Sequence, residues 1–201
     1  MMNSYKAMQV VRAGVLELAS MEAREPAPGE VLIAVEACGL CGADAGTVEA
    51  TAPGLVLPRV PGHEVAGRIA ALGAGVAGWR VGQRVGIGRL GGHCGVCRQC
   101  RSGEFVLCED QPIVGVTRDG GYAEMMLARA SGLVAIPDEL DAVDAAPLLC
   151  AGLTTFNALR NSGARAGDLI AVLGIGGLGH LAVQYARKMG FKVVAIARGS
   201  V

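Results

Sequence analysis

The sequence is poor in aromatic residues and carries no excess of charge of either sign. Phe, Trp and Tyr make up 3% of its 201 residues, and 18 Lys and Arg residues balance 18 Asp and Glu residues. A neutral chain lacks the electrostatic footprint of proteins that bind nucleic acid or anionic membranes. The longest apolar runs have five residues, far below the roughly 18 that span a bilayer. We therefore predict neither nucleic acid nor a membrane as a partner.

We also expect no export signal. The first residues, Met1 to Lys6, are not followed by the apolar core of a secretory signal peptide. The apolar fraction of 52% excludes a disordered chain. At roughly 100–200 residues per domain, the length fits one large domain or one domain plus part of a second. We expect a soluble, cytoplasmic globular protein.

Cysteine is the residue type that carries the strongest local signal. The seven cysteines are an odd, unevenly spread number, which argues against a disulfide framework and for metal-binding or reactive thiols. Four of them form the pattern C-x2-C-x2-C-x7-C: Cys94, Cys97, Cys100 and Cys108. This spacing lets four thiolates surround one tetrahedral zinc ion and leaves no open position, so the zinc would be structural.

An iron–sulfur cluster and unliganded thiols are the alternatives for these four cysteines. Cluster motifs usually have a short x3 spacing followed by proline, whereas Glu109 follows Cys108 here. Structural zinc is therefore favoured. His93 precedes the first cysteine, and because four thiolates complete the zinc ligand set, we interpret it as a loop histidine.

Residues before about 150 are predicted to be rich in β-strands. Frequent glycines suit a small barrel with tight corners. The continuous apolar run at 31–35, which is rich in β-branched residues, indicates a strand buried on both faces. Helices are expected only in the second half, on either side of a break at Cys150-Ala151-Gly152. The candidate strands are Ala7–Arg12, Glu30–Cys38, Glu64–Leu72, Arg84–Gly88 and Tyr122–Ala128, and the candidate helices are Asp141–Leu149 and Leu153–Asn161.

The last part of the sequence reads as strand, glycine turn, helix and strand. The turn has the G-x-G-x-x-G pattern of dinucleotide-binding proteins, which is informative because it follows a strand and opens a helix. The predicted cofactor-binding residues are Gly174, Gly176, Gly177, Leu178 and Gly179. His180, the next residue, is expected to be solvated or to pack rather than to act in catalysis. The 33 residues from 169 onward amount to one βαβ unit, so the second domain is expected to be incomplete.

The end of the second strand bears on which nucleotide is bound. An Asp or Glu about 20 residues past the glycine motif normally binds the ribose hydroxyls of NAD, but here Ala197 and Arg198 occupy that region. An arginine can pair with a 2′-phosphate, which favours NADP over NAD. A solvated surface arginine is the alternative interpretation.

Three further residues could form a second metal site. Cys41, His63 and Cys150 would make a Cys2His set with an open fourth position, as in catalytic zinc sites. Each also has an ordinary interpretation as a small buried cysteine or a loop histidine. Spacing alone does not show that they meet.

These motifs, in this order, resemble those of the zinc-dependent medium-chain alcohol dehydrogenases. The resemblance runs from about Lys6 to Arg198 and is carried by Cys41-Gly42-Ala43-Asp44, Gly62-His63-Glu64, the four-cysteine lobe, Cys150 and the glycine turn. It implies an α/β protein in which a GroES-like β-barrel catalytic domain (1–150) with two zinc sites precedes the first βαβ unit of a Rossmann domain (151–201).

The resemblance also implies roles for individual residues. Catalytic zinc falls on Cys41, His63 and Cys150, and structural zinc on the four-cysteine lobe. Glu64 falls on a nearby carboxylate that exchanges with a zinc ligand, and Asp44 on a carboxylate that orients the histidine. Cys38 is not a ligand in this pattern and is expected in the core.

Two positions depart from the family pattern. Ala43 replaces a Thr or Ser whose hydroxyl passes the substrate proton, and Gly46 replaces a histidine that continues the relay. The proton would need another route, through bound water or Thr47. We therefore predict lowered turnover or an altered pH profile.

The resulting functional hypothesis is an oxidoreductase that interconverts a primary or secondary alcohol with its aldehyde or ketone, using NAD(P). The alternatives are a polyol dehydrogenase of the same family and a zinc-binding fragment without turnover. A zinc-independent enoyl or quinone reductase is disfavoured, because such enzymes lack both cysteine sets. Leu57, Trp79 and Ile87 are candidates for apolar substrate-facing surface. The full-length form is expected to be a homodimer or homotetramer.

Overall fold

The computed structural model describes residues 4–199 and divides the chain into two compact units, Met1–Leu149 and Cys150–Val201. The first unit is built on strands, as predicted, and the second contains the predicted strand–helix–strand segment. The strands of the first unit are β1 (Ser4–Arg12), β2 (Val15–Glu22), β3 (Glu30–Cys38), β4 (Val65–Leu72), β5 (Arg84–Ile87), β6 (Met125–Arg129) and β7 (Leu133–Ala135).

Five of these strands form one antiparallel sheet in the order β6-β3-β4-β5-β7. Its core side contains Val31, Ile33, Val65 and Ile87, each no more than 1% exposed. Their neighbours at 32 and 34 are only partly buried, because successive side chains of a strand point to opposite faces. The prediction that the 31–35 run is buried on both faces is therefore wrong.

The strands β1 and β2 form a separate hairpin that turns at Gly14, where φ is +73°. The strand β2 was not among the predicted strands, because charged and small residues interrupt its apolar pattern. Main-chain hydrogen bonds attach β1 to the rest of the unit: the N–H of Met8 donates to the carbonyl of Tyr122, and that of Val10 to Arg59, both at 2.7 Å.

Helices occur in the first half as well, contrary to the prediction. The helix α1 spans Ala45–Val48 and α2 spans Arg98–Arg101. Cysteine thiols cap these turns: Cys97 accepts the N–H of Cys100 at the start of α2, and Cys41 accepts that of Ala43 in the 3-10 turn Gly42–Asp44 before α1. Helices this short depend on such local hydrogen bonds, which is why apolar periodicity does not reveal them.

The predicted helix break at Cys150-Ala151-Gly152 is also wrong. The helix α3 (Ala142–Pro147) continues through a π-helical turn, Leu148–Gly152, into α4 (Leu153–Arg160). Pro147 has no N–H to donate to the α-helical ladder, and the wider turn follows directly after it.

The combined helix Ala142–Arg160 has the length and apolar composition of a membrane span, with a mean hydropathy of 1.3. Its first part is nevertheless a core helix: Ala145 and Ala146 are 2% exposed and pack with Ala66 of β4 and with Ile136. Length and composition are therefore weak evidence for a membrane partner.

The second unit continues with β8 (Leu169–Leu173), α5 (Gly177–Lys188) and β9 (Lys192–Ile196). The two strands pair in parallel, with Leu169 opposite Lys192 and Leu173 opposite Ile196. Parallel strands need a crossover connection, which α5 provides. The predicted βαβ unit is therefore present.

Candidate metal and nucleotide sites

The four cysteines of the lobe at 94–108 come together in space. One ligand atom from each of Cys94, Cys97, Cys100 and Cys108 lies within 4.8 Å of all the others. All four are free thiols, and Cys100 and Cys108 are buried. Sulfurs this close, with no disulfide among them, form a donor set that fits a tetrahedral zinc ion with four thiolate ligands.

Main-chain N–H groups point at these sulfurs and favour the thiolate form. The N–H of Cys94 donates to the sulfur of Cys108 at 3.3 Å, and that of Cys97 to the sulfur of Cys94 at 3.4 Å. The N–H of Cys100 donates to the sulfur of Cys97 at 3.5 Å and lowers the pKa of Cys97 to about 6. Burial raises the pKa of Cys100 to about 12, so the loop backbone favours the thiolate at Cys97 and not at every cysteine of the lobe, whereas metal ligation requires thiolates.

His93 lies beside the lobe but does not belong to its ligand group. Its ring stacks on Phe105, with centroids 4.3 Å apart. Its main chain exchanges two hydrogen bonds with the Ser131 hydroxyl, at 2.9 and 3.0 Å. These contacts agree with its interpretation as a loop histidine.

The second site centres on His63, which is 1% exposed. Its Nδ1 lies 2.8 Å from Oδ1 of Asp44, which is also buried. The other carboxylate oxygen of Asp44 accepts the N–H of Cys41 at 2.9 Å and the hydroxyl of Tyr122 at 2.8 Å. Burial alone would raise the pKa of Asp44, but the hydrogen bonds from His63, Cys41 and Tyr122 lower it below its ordinary value. Asp44 is therefore an anion held between two candidate ligands.

Other potential ligands lie close to the imidazole of His63. One donor atom from each of Cys41, His63 and Glu64 lies within 4.8 Å of the others. His63 Nε2 is buried and makes no hydrogen bond to any part of residues 4–199. A buried polar atom left without a partner is costly, and an imidazole nitrogen beside a thiol and a carboxylate is a donor set that zinc accepts. The residues fit a metal ion.

The local sequence explains how these side chains reach one place. His63 and Glu64 lie directly before β4, and Cys41 follows β3, its antiparallel neighbour. Gly39 hydrogen-bonds to the Glu64 carbonyl at 2.9 Å, and a Cβ on Gly39 would overlap the Glu64 carboxylate. The glycine thus makes room for the buried carboxylate.

Cys150 lies in the π-helical turn Leu148–Gly152, where it is half-buried and is the first residue of the second unit. Cys38, by contrast, packs against the core of the sheet, as expected. Burial raises the pKa of the Cys38 thiol to about 12, so it stays protonated and inert at neutral pH.

Several other expectations need correction. The hydroxyl of Thr47 is buried and donates to the carbonyl of Gly115 at 2.9 Å, so it does not offer a proton route. Ile87 is 1% exposed within the sheet core, and Trp79 packs against the same core, so neither presents a substrate-facing surface. Leu57 precedes a cis proline and is half-buried.

Sequence reasoning did not identify Tyr122 as part of the site and treated it only as the start of a strand. It lies 78 residues from Asp44, and β6 begins three residues later, at Met125. No motif links a tyrosine to an aspartate at that distance. Only the fold brings its hydroxyl to the carboxylate.

The glycine turn has the geometry that phosphate binding needs. Gly174 has φ of +83° and donates its N–H to the carbonyl of Ile196 in β9 at 2.8 Å. A Cβ on Gly179 would overlap the Gly174 carbonyl, so helix and turn pack closely. Gly176 and Gly177 face open space at the N-terminus of α5, where backbone N–H groups attract anions.

The neighbours of the turn are placed as follows. His180 is exposed, and its Nδ1 lies 3.1 Å from the carbonyl of Gly176, in the first turn of its own helix. Leu178 is 46% exposed. Arg198 is exposed just beyond β9, which ends at Ile196.

Comparisons with known proteins agree with this geometry. Residues 27–138 match the alcohol dehydrogenase GroES-like domain family. The alcohol dehydrogenase notN of an Aspergillus species is 51% identical over 174 residues, which are 87% of this chain and 51% of that protein. The chain spans about half the length of the curated relatives it matches.

Two solved structures are similar over nearly the whole chain. A cobalt- and zinc-bound thermostable alcohol dehydrogenase from Pyrobaculum aerophilum has a TM-score of 0.89 and 34% identity, covering 97% of this chain and 60% of that one. An acetophenone reductase from Geotrichum candidum, in complex with NAD, has a TM-score of 0.85 and 33% identity, covering 97% and 58%. The chain therefore belongs to the zinc-dependent medium-chain alcohol dehydrogenase family and contains its GroES-like domain.

Proposed function

We propose that this chain supplies the zinc-binding and phosphate-binding parts of an NAD(P)-dependent oxidoreductase that interconverts a primary or secondary alcohol with its aldehyde or ketone. The observation that carries the proposal is the buried His63: Asp44 holds its Nδ1, its buried Nε2 has no hydrogen-bond partner among residues 4–199, and one of its ring nitrogens lies within 4.8 Å of donor atoms of Cys41 and Glu64. An imidazole oriented by a carboxylate on its far nitrogen is the usual arrangement of a metal-ligating histidine.

Each residue of this site has a distinct task in the proposed reaction. Cys41 and His63 would hold the zinc ion, Asp44 orients the imidazole, and Glu64 provides a carboxylate that can exchange with a ligand. A zinc ion held by these residues would supply Lewis-acid chemistry toward the substrate oxygen. The open backbone at Gly176 and Gly177 would hold the pyrophosphate of a nicotinamide nucleotide, which would supply the hydride chemistry.

Cys150 is proposed as the third protein ligand. The residue before it, Leu149, packs against Gly86 and Gly88 at the end of β5. That end of β5 pairs with the start of β4, where Ile87 lies opposite Val65, the residue after Glu64. Since consecutive Cα atoms are about 3.8 Å apart, Cys150 follows a residue anchored near the His63 end of the sheet.

The four-cysteine lobe is proposed to hold a second zinc ion with a structural role. Its four thiols leave no coordination position for a substrate. The whole GroES-like part, 1–150, would then be the catalytic domain with two zinc sites, and 151–201 the first part of the nucleotide-binding domain. A homodimer or homotetramer and a cytoplasmic location remain predictions.

The nucleotide is proposed to be NADP rather than NAD. The described residues directly after β9, 197–199, contain no carboxylate, and Arg198 among them is exposed. A guanidinium there can pair with a 2′-phosphate. Titration of the full-length protein with NADPH and NADH tests this, and a tenfold or greater preference for NADH would overturn it.

A second candidate function is zinc binding without turnover by the chain alone. The observation in its favour is that the chain spans about half the length of its relatives. A polyol dehydrogenase of the same family is a further alternative in substrate choice. Titration of the 201-residue chain with NADP(H) distinguishes zinc binding without turnover from the proposed enzyme, since an incomplete nucleotide domain should bind NADP(H) weakly.

The first experiment is to measure zinc per purified chain. Two equivalents are expected, falling to one in His63→Ala, while His180→Ala keeps both because His180 is an exposed residue of α5. An unchanged zinc content in His63→Ala would refute the proposed catalytic site. One equivalent in the unaltered chain would mean that only the four-cysteine lobe binds zinc.

The proton route can be tested separately in the full-length enzyme. Ala43 is exposed beside Cys41, its N–H donating to the Cys41 sulfur at 3.5 Å. Ala43→Thr would restore a hydroxyl at that position and should raise turnover. A variant no faster than the unaltered enzyme would contradict the predicted cost of lacking the hydroxyl.

A further inference from the structure

Tyr122 reaches the candidate metal site from a distant part of the chain. Its hydroxyl donates to Oδ2 of Asp44 at 2.8 Å. The same oxygen accepts the N–H of Cys41 at 2.9 Å, while Oδ1 lies 2.8 Å from Nδ1 of His63. One carboxylate therefore links the main chain of one candidate ligand to the side chain of another, and Tyr122 is its third partner.

The backbone delivers Tyr122 and His63 to the same place. Segment 120–122 runs beside segment 60–62: the N–H of Tyr122 donates to the Pro61 carbonyl at 3.0 Å, and that of Gly121 to the Gly62 carbonyl at 2.9 Å. Gly62, the residue before His63, has no side chain, and the Tyr122 ring occupies the space that its Cβ would fill. The ring position is thus set by main-chain pairing.

We propose that Tyr122 is a positioning residue of the His63 metal site, and that its hydroxyl fixes the Asp44 carboxylate in the orientation that presents His63 Nε2 to the metal. This inference rests on the proposed function and goes beyond it, because it assigns a role to a residue outside the ligand set.

The physical argument concerns the two oxygens of Asp44. A carboxylate can rotate about its terminal bond and exchange its oxygens between partners. With the hydroxyl of Tyr122 and the N–H of Cys41 on Oδ2, the other oxygen stays on Nδ1 of His63. A hydrogen held on Nδ1 leaves the lone pair of neutral imidazole on Nε2, the form that binds a metal.

The test replaces the hydroxyl and keeps the ring. Tyr122→Phe is compared with Tyr5→Phe, a matched control in β1 of the same unit. Zinc affinity is measured on the metal-depleted 201-residue chain by competition with a chelator. Removing partners of a ligating histidine typically weakens metal binding about 10–100-fold. Since Tyr122 contacts Asp44 and not His63 itself, we expect a smaller effect: about 3–10-fold weaker zinc binding at the His63 site and no change at the four-cysteine lobe.

Other outcomes contradict the inference in distinguishable ways. Tyr122→Phe binding zinc as tightly as Tyr5→Phe would overturn it. Equal weakening at both zinc sites would show general destabilisation and would overturn it too. His63→Ala identifies which zinc equivalent belongs to the His63 site. If that variant loses no zinc, the proposed function is refuted, and this outcome is distinct from a failure of the Tyr122 inference.

A second readout needs no metal. The chain has three histidines, so nitrogen NMR of the zinc-free protein can resolve the His63 ring. We expect one tautomer, with the hydrogen on Nδ1, in the unaltered chain and in Tyr5→Phe, and a mixture in Tyr122→Phe. An unchanged tautomer in Tyr122→Phe would refute the positioning role even if zinc did not bind.

Discussion

Gly62 tests the idea that close backbone packing builds the His63 site. It has φ of +95°, a region that L-residues avoid. A Cβ placed on it would lie 2.7 Å from Cε1 of Tyr122 and 2.8 Å from the sulfur of Cys38, both too close. The left-handed backbone costs a side chain about 1–2 kcal/mol, and overpacking adds about 1–3 kcal/mol. Gly62→Ala should therefore destabilise the first unit by about 2–5 kcal/mol.

Gly75→Ala is the matched control. Gly75 has a similar φ of +76°, but no heavy atom of the described chain lies within 4 Å of its Cβ position. Gly75→Ala should therefore lower the free energy of unfolding only by the cost of a left-handed backbone, about 1–2 kcal/mol. The difference between the two variants isolates the packing of Gly62 against Tyr122 and Cys38.

Tryptophan fluorescence during denaturant unfolding provides the assay. Trp79 is the single tryptophan and packs against the core of the first unit, so its signal reports on that unit. The zinc-loaded proteins are compared, because both variants keep all the proposed ligands. Equal losses of unfolding free energy in Gly62→Ala and Gly75→Ala would refute the packing argument.

Three further predictions concern other parts of the molecule. Cys97→Ser should lose one of two zinc equivalents in metal analysis and keep the other; loss of both would mean that the sites are not independent. Burial raises the pKa of Cys38 in the folded protein to about 12. The neutral thiol therefore contributes its full stabilisation at pH values below the pKa of the unfolded chain, and this stabilisation is lost as the pH rises above that pKa. Between pH 9 and 10 the unfolding free energy should fall by about 1 kcal/mol more in the unaltered chain than in Cys38→Ala, and parallel pH profiles would contradict this. Gly179→Ala should destabilise the second unit by about 2 kcal/mol or more, because its Cβ overlaps backbone. Gly176→Ala, in open space, should not, and similar hydrogen-exchange protection of α5 in both variants would disprove the distinction.

The metal and nucleotide motifs could be predicted because they depend on short spacings. Cys94, Cys97 and Cys100 are separated by two residues each, so a single loop brings their sulfurs together. Gly174 provides the left-handed turn after β8, with φ of +83°, and Gly179 in the first turn of α5 permits the close approach of helix and turn. In both cases the geometry is local.

Local sequence was less informative where capping or burial decides the structure. The helix α2 is only four residues long and is started by the Cys97 thiol, which apolar periodicity does not reveal. Ile87 and Trp79 are apolar, so by sequence either one fits a substrate-facing surface or the protein core. Only the packed sheet shows that they belong to its core. The alternation of burial along β3 likewise depends on which face of the sheet is covered.

The sequence by itself determined the donor residues, the four-cysteine lobe, the glycine turn and, through their order, the family. Only the tertiary structure decided how His63 is held. Asp44 lies 19 residues from His63 and 78 from Tyr122, and neither separation is the period of a helix, a strand or a turn. Tyr122 reaches the site because segments 60–62 and 120–122, which lie outside the named strands, pair side by side. Main-chain pairing across such a distance is a property of the folded chain rather than of any local pattern.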